Sequence, residues 1–164
     1  MIDSSQHDLK SFDCGKTDMN RYLTRYAEKN QKLGLSATWV LPVVETHPLP
    51  KTKIAAYYSL ASTTVTSTEI PADYKLPRYP VPVVLLARLA VEQRFQRQGL
   101  GEKTLVSALR HCVVLTGKGL PAYGLVLDVL DAEALVFYQR FGLFKPLNDH
   151  PMRLFVGMHV LRQI

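Results

Sequence analysis

Cysteine is nearly absent. Cys14 and Cys112 are the only two in 164 residues, and they form neither a CxxC unit nor a ligand cluster. That pattern argues against a disulfide framework and a zinc site, and predicts free thiols in a reducing compartment. No metal is expected. No apolar run approaches the length needed to cross a bilayer, so no membrane partner is expected. The opening residues, Met1-Ile-Asp-Ser-Ser-Gln-His-Asp, lack the basic and apolar regions of a secretory leader, which predicts a cytoplasmic protein. Repeats, low-complexity tracts and linkers are missing too, so one domain over residues 1–164 is expected. Negative charge is in deficit: 14 Asp and Glu stand against 20 Lys and Arg, a formal net charge of +6. Such a surface attracts polyanions and argues mildly against cationic substrates. It is equally compatible with a protein that only holds a phosphorylated cofactor, and no aromatic-rich RNA-binding motif decides between the two.

What is present reads as mixed α/β. Thr17 or Asp18 can cap a helix over Met19 to Lys32, whose apolar face is Met19, Tyr22, Leu23, Tyr26 and Ala27, and which Gly34 ends. Thr38-Trp39-Val40-Leu41 and the stretch from Ile54 to Val65 predict two strands, paired antiparallel across the turn His47-Pro48-Leu49-Pro50. Pro71, Pro77, Pro80 and Pro82 make the stretch from Ser67 to Pro82 a long surface loop. A central strand from Val83 to Val91 follows, then a helix from about Gln98 to Leu115 with Leu100, Thr104, Leu105, Ala108, Leu109, Cys112 and Val113 lining one face. Tyr123 to Leu130 predicts a strand, and Asp131 caps a short helix stopped by Gly142. Two closing strands are expected, from Leu143 and from Met152 to Leu161. Strands alternating with helices after an initial helix and hairpin are the α/β pattern.

The chemistry concentrates where the central strand meets its helix. The strand ends in Leu89-Ala90-Val91 and runs into Gln96-Arg97-Gln98-Gly99-Leu100-Gly101. Glycines at 99 and 101 remove Cβ atoms that would block close backbone approach, and consecutive N–H groups can then converge on an anion. The helix adds its positive dipole end and its unpaired first-turn donors. Arg94 and Arg97 add charge-assisted hydrogen bonds. This is a pocket for a pyrophosphate. A P-loop is excluded, since Gly101 is followed by Glu102 rather than Lys. A dinucleotide fingerprint lacks its third glycine and its acidic residue after a second strand.

These residues, with Ala134-Leu135-Val136-Phe137-Tyr138-Gln139-Arg140-Phe141-Gly142-Leu143, resemble the acetyl-CoA core of the GNAT N-acetyltransferase superfamily, whose Q/R-x-x-G-x-G/A signature fits as written. The N-terminal blocks Phe12-Asp13-Cys14-Gly15, Met19-Asn20-Arg21-Tyr22-Leu23, Thr38-Trp39-Val40 and Ala56-Tyr57-Tyr58-Ser59-Leu60 narrow this to the GNAT toxins of type II toxin–antitoxin modules. Met19 and Ala56 stand where leucine and glycine are usual, and both keep the apolar or small character. The resemblance implies a GNAT fold with a mixed sheet flanked by helices. It implies acetylation of the α-amino group of aminoacyl-tRNA, blocking translation. It also implies acetyl-CoA as co-substrate, a ribbon-helix-helix antitoxin forming a repressor complex with the toxin, and a homodimer.

By the same resemblance, Leu89, Ala90, Val91, Arg94, Gln96, Arg97, Gln98, Gly99, Leu100 and Gly101 bind the cofactor. The N–H around Val91 holds the thioester carbonyl, and Tyr138 protonates the sulfur. Read without the family, Tyr138 is a core tyrosine on a short helix. An α-amino group titrates near about 8 and lower as an ester, so a strong general base is unnecessary. His111 and His150 read as surface or satisfied histidines, and Asp131 as a helix cap. Arg21, Arg25, Lys75, Arg78 and Arg88 are candidate tRNA contacts, each individually weak. Two other readings stay open: an N-acetyltransferase of small amines or protein N-termini, and a non-catalytic regulator that binds acetyl-CoA or nucleic acid.

Overall fold

Two residues, His7–Asp8, form β1, too short to carry a periodic signal; they pair parallel with Thr52 and Lys53. The computed structural model describes all residues from 1 to 164. The expected first helix is there as three consecutive pieces, α1 (Thr17–Arg21), a π-helical turn over Tyr22–Ala27, and α2 (Glu28–Lys32). Its cap is a correction. Lys16 occupies the capping position and its side chain makes no capping hydrogen bond, while Thr17 and Asp18 lie inside the first turn, where Asp18 complements the dipole. Tyr26 is a second correction: it is 48% exposed, whereas Met19, Tyr22, Leu23 and Ala27 are buried. A π turn closes its hydrogen bonds five residues apart instead of four, so the buried stripe skips one position and lands on Ala27. Gly34, at φ 73°, ends the run as expected.

β2 (Ala37–Pro42) and β3 (Thr52–Val65) form the expected antiparallel hairpin, in register Thr38↔Ser59 and Trp39↔Tyr58. On one face the Thr38 and Ser59 hydroxyls meet at 2.6 Å, wholly buried. Tyr57 is also wholly buried and donates its hydroxyl to the Met19 carbonyl at 2.7 Å, so the ring contributes its apolar area without an orphaned polar atom.

β4 (Val81–Val91) starts two residues earlier than the sequence suggests, inside the proline-rich stretch. Pro82 lacks an N–H, but its carbonyl still accepts from the Tyr123 amide at 2.8 Å. α3 (Leu100–Thr116) starts two residues late, because Arg97 and Gly99 hold left-handed φ values of 59° and 79°. β5 (Gly124–Asp128) runs parallel to β4, with Val84↔Leu125 and Leu85↔Val126. α4 (Ala132–Gln139) follows, then β6 (Lys145–Leu147) and β7 (His150–Gly157). The final strand ends at Gly157 rather than Leu161. Met158–Leu161 form a helical turn, α5, and bury Met158 and Leu161, a spacing of three that a helix places on one side.

The seven-stranded sheet is mixed, in the order β1-β3-β4-β5-β7-β6, with β2 on β3. The chain divides into two compact units, Met1–Ala61 with Ala87–Ala108, and Ser62–Leu86 with Leu109–Ile164. The first has a core that includes Ile2, Phe12, Leu23, Ile54, Tyr57 and Ala90. The second packs Val65, Ile70, Val83, Val126, Leu147 and Phe155. No helix is long and apolar enough to cross a membrane.

Candidate active site

In the first unit the Glu92 amide donates to the Ala55 carbonyl at 2.8 Å. Amides alternate in direction along a strand, so the Val91 N–H points to the flank away from β3. A one-turn 3₁₀ helix, Gln93–Phe95, follows. Glu92, only 6% exposed, caps it by accepting from the Arg94 amide at 2.7 Å and from Arg94 Nε at 3.2 Å. Gln96, although exposed, turns its side-chain amide back onto the main chain: Nε2 donates to the Val91 carbonyl at 2.8 Å and to the Cys14 carbonyl at 2.9 Å. Gln98 Nε2 donates to the Arg94 carbonyl at 3.0 Å. Three polar side chains thus fix the path from strand to helix, with Arg97 left exposed upon it.

A Cβ built on Gly99 would meet nothing within 4 Å, and its φ of 79° is one that L side chains rarely adopt. Behind it Leu100 and Gly101 open a helix of 17 residues whose first amides have no intrahelical acceptor. Left-handed backbone, open space above it, two arginines and a helix N-terminus fit a diphosphate group. Leu89 and Ala90 are partly and fully buried in the strand ahead, so they offer main chain rather than side chain.

In the second unit Tyr138 lies in the last turn of α4, whose cap is Asp131: its carboxylate accepts from the Ala134 amide at 2.9 Å. The Tyr138 ring packs edge-on against Phe137 and Phe144. Burial among these rings pushes its phenol up to about 12, so it stays protonated at neutral pH.

The basic candidates divide between the units. Arg21, Arg25 and Arg88 belong to the first; Lys75 and Arg78 lie exposed on the proline loop of the second. Arg88 stacks its guanidinium over the Tyr22 ring at 4.7 Å, which holds an exposed cation in one orientation. Arg21 pairs with Asp18 at 3.6 Å on the surface. His150 pairs with Glu69 at 3.1 Å, and burial pulls the His111 imidazole below its ordinary pKa. Both cysteines are free and buried, and burial raises the Cys112 thiol to about 11, which keeps it unreactive. Glu92 and the bracing role of Gln96 carried no sequence signal, since a lone acid after a strand is usually solvated.

No protein-family model matches the chain. A tRNA-acetylating toxin of Mycobacterium tuberculosis is 31% identical, covering 98% of this chain and 92% of its own length. A crystal structure of a tyrosine-to-phenylalanine variant of KacT has a TM-score of 0.86 and 25% identity, covering 96% of this chain and 91% of that one. AtaT complexed with acetyl-methionyl-tRNAfMet shares the fold, with a TM-score of 0.85 at 24% identity over 98% of this chain and 93% of its own. Kinship along nearly the whole chain, joined to the strand, glycine turn and helix described above, makes this protein an acetyltransferase of the GNAT tRNA-acetylating toxin family.

Proposed function

We propose that the protein is a single N-acetyltransferase domain over residues 1–164 that moves the acetyl group of acetyl-CoA to the α-amino group of an aminoacyl-tRNA and so blocks translation in the cytoplasm. The observation that carries this is the backbone at Arg97 and Gly99, left-handed at both positions and opening a 17-residue helix. It supports diphosphate binding by Arg94, Arg97, Gly99, Leu100 and Gly101, while Gln96 and Gln98 act as braces.

Bound acetyl-CoA supplies the activated acetyl thioester. The Val91 N–H, turned away from β3, is the donor for the carbonyl oxygen as it gains charge. The attacking amine is neutral in a substantial fraction of molecules, because its pKa lies at about 8 or below. Tyr138 would offer its phenolic proton to the departing sulfur. Its pKa of about 12 exceeds that of a thiol, so complete proton transfer is uphill and the phenol serves chiefly as a hydrogen-bond donor.

Arg21, Arg25, Arg88, Lys75 and Arg78 attract the tRNA backbone. The partners of related toxins extend the reading: AtaT has been solved with the C-terminus of the antitoxin AtaR, and the AtaT–AtaR complex with DNA. By the family resemblance the cognate antitoxin is a ribbon-helix-helix protein and the toxin a homodimer. The test is incubation with labelled acetyl-CoA and, separately, charged tRNA, a polyamine and a peptide. Label is expected on charged tRNA alone; label on the amine or peptide instead would overturn the assignment. Binding to tRNA should weaken steeply as salt rises, because phosphate neutralisation releases counterions.

A further inference from the structure

We propose that the proline loop and its neighbours form a pocket for one unpaired nucleotide of the RNA substrate, a reading that rests on the activity proposed above. A cavity of about 400 Å³ in the second unit is lined by Tyr79, Tyr123, Pro77, Pro80, Pro121 and Arg162, among others. Its walls suit a flat aromatic guest. Proline rings present rigid apolar faces without an N–H to satisfy. Tyr123 is fixed from behind, stacked on Phe155 at 6.0 Å and 15° with its hydroxyl 2.6 Å from that of Tyr74. Tyr79 is 68% exposed, so most of its ring is open to a partner. One fixed plane and one open plane serve base stacking, which tolerates any sequence because every base has a π-face.

Charge selects the class of guest. Arg162 is the ionisable side chain among the lining residues that carries a full charge at neutral pH, and it is positive. Lys75 and Arg78 flank the same wall, exposed, in the segment Tyr74-Lys75-Leu76-Pro77-Arg78-Tyr79. The two carboxylates of the loop, Glu69 and Asp73, lie outside the lining residues, and Glu69 is paired with His150 at 3.1 Å. An aromatic body that brings negative charge with it satisfies both walls and rim, and a nucleotide does so through base and phosphate. A neutral apolar peptide side chain would use the walls and leave the cations idle.

The test uses the full chain, charged tRNA, and Tyr79→Ala, Tyr79→Phe and Arg162→Gln. Loss of the stacking ring should weaken tRNA binding by about tenfold or more, and the phenylalanine variant should restore it. Arg162→Gln should reduce the slope of log affinity against log salt by about one. Calorimetric affinity for acetyl-CoA should not move in any of them. Thiouridine-substituted tRNA should crosslink to peptides containing Tyr79 or Tyr123. Unchanged tRNA affinity in Tyr79→Ala, with wild-type acetylation of charged tRNA intact, overturns the pocket alone. Loss of antitoxin capture with unchanged tRNA affinity likewise overturns it, in favour of a peptide site. A wild-type protein that neither binds nor acetylates charged tRNA removes both readings together.

Discussion

The two units solve opposite electrostatic problems. In the first, the path from Val91 to Leu100 leaves a buried strand end for a largely exposed turn and is tied by polar bonds: Glu92 to Arg94, Gln96 to two carbonyls, Gln98 to a third. In the second, Tyr138 is wrapped by Phe137 and Phe144 and its phenol is held neutral by burial. Anion binding needs oriented N–H groups that cost little to reorganise, and short hydrogen bonds set that orientation. Keeping a proton on an acid needs the reverse, a surrounding that penalises the charged form. The difference teaches that, on the proposed activity, a bracing glutamine and a packing phenylalanine would each support function without touching a reacting atom.

The sharpest way to break this comparison is Tyr138→Phe. The acetylation rate should fall by at least about tenfold, the lower range of acid–base effects, while acetyl-CoA affinity stays put. Full activity in the purified variant would reduce Tyr138 to packing. On the opposite side, Gly99→Ala keeps the phenol and alters the cradle. Its Cβ would meet no protein atom, so the cost comes from the left-handed φ of 79° and from occupying the open space above the turn. Acetyl-CoA affinity should fall by about tenfold in calorimetry, with roughly 1 kcal/mol lost in folding stability. An unchanged affinity would show that the diphosphate lies elsewhere.

A third test separates the units by pH. The Tyr138 phenol is raised by burial from 10.0 to about 12. Its contribution to stability is therefore complete below pH 10 and disappears as pH climbs through about 12. Between those values the wild type should lose stability faster than Tyr138→Phe, read as urea midpoints. Parallel curves would mean that the ring is not desolvated in solution. The smallest effect is Asp131→Ala, which removes the α4 cap at 2.9 Å and should cost about 1 kcal/mol, visible as a lowered melting temperature.

Much of this was legible in the residues because period and punctuation agreed. The β2–β3 hairpin announced itself through alternation, α4 through Asp131 and Gly142, and the tight turn before α3 through paired glycines ahead of an amphipathic helix. Three things were illegible, each for a physical reason. Tyr26 follows α-helical spacing in sequence, and the π turn that exposes it has no signature in residue type. Met158, Val160 and Leu161 extend the apolar run of the preceding strand, yet the chain turns helical there and buries Met158 and Leu161. Gln96 sits at the family's signature position and reads as a ligand contact; only its distances to the Val91 and Cys14 carbonyls reveal a brace.

The π turn between α1 and α2 has a consequence for how this segment tolerates change. It contains one residue more than the same arc of α-helix would need, and Glu28 beyond it accepts from both the amide and the hydroxyl of Ser4, at 3.1 and 2.7 Å. Adding a single codon within the stretch 24–26 would swing everything downstream around the helix axis by about 100° and carry Glu28 off its partner, whereas removing one would let the same arc close as ordinary α-helix. Exchanging a letter there leaves that clasp alone. Along this stretch, how many residues there are matters more than which ones.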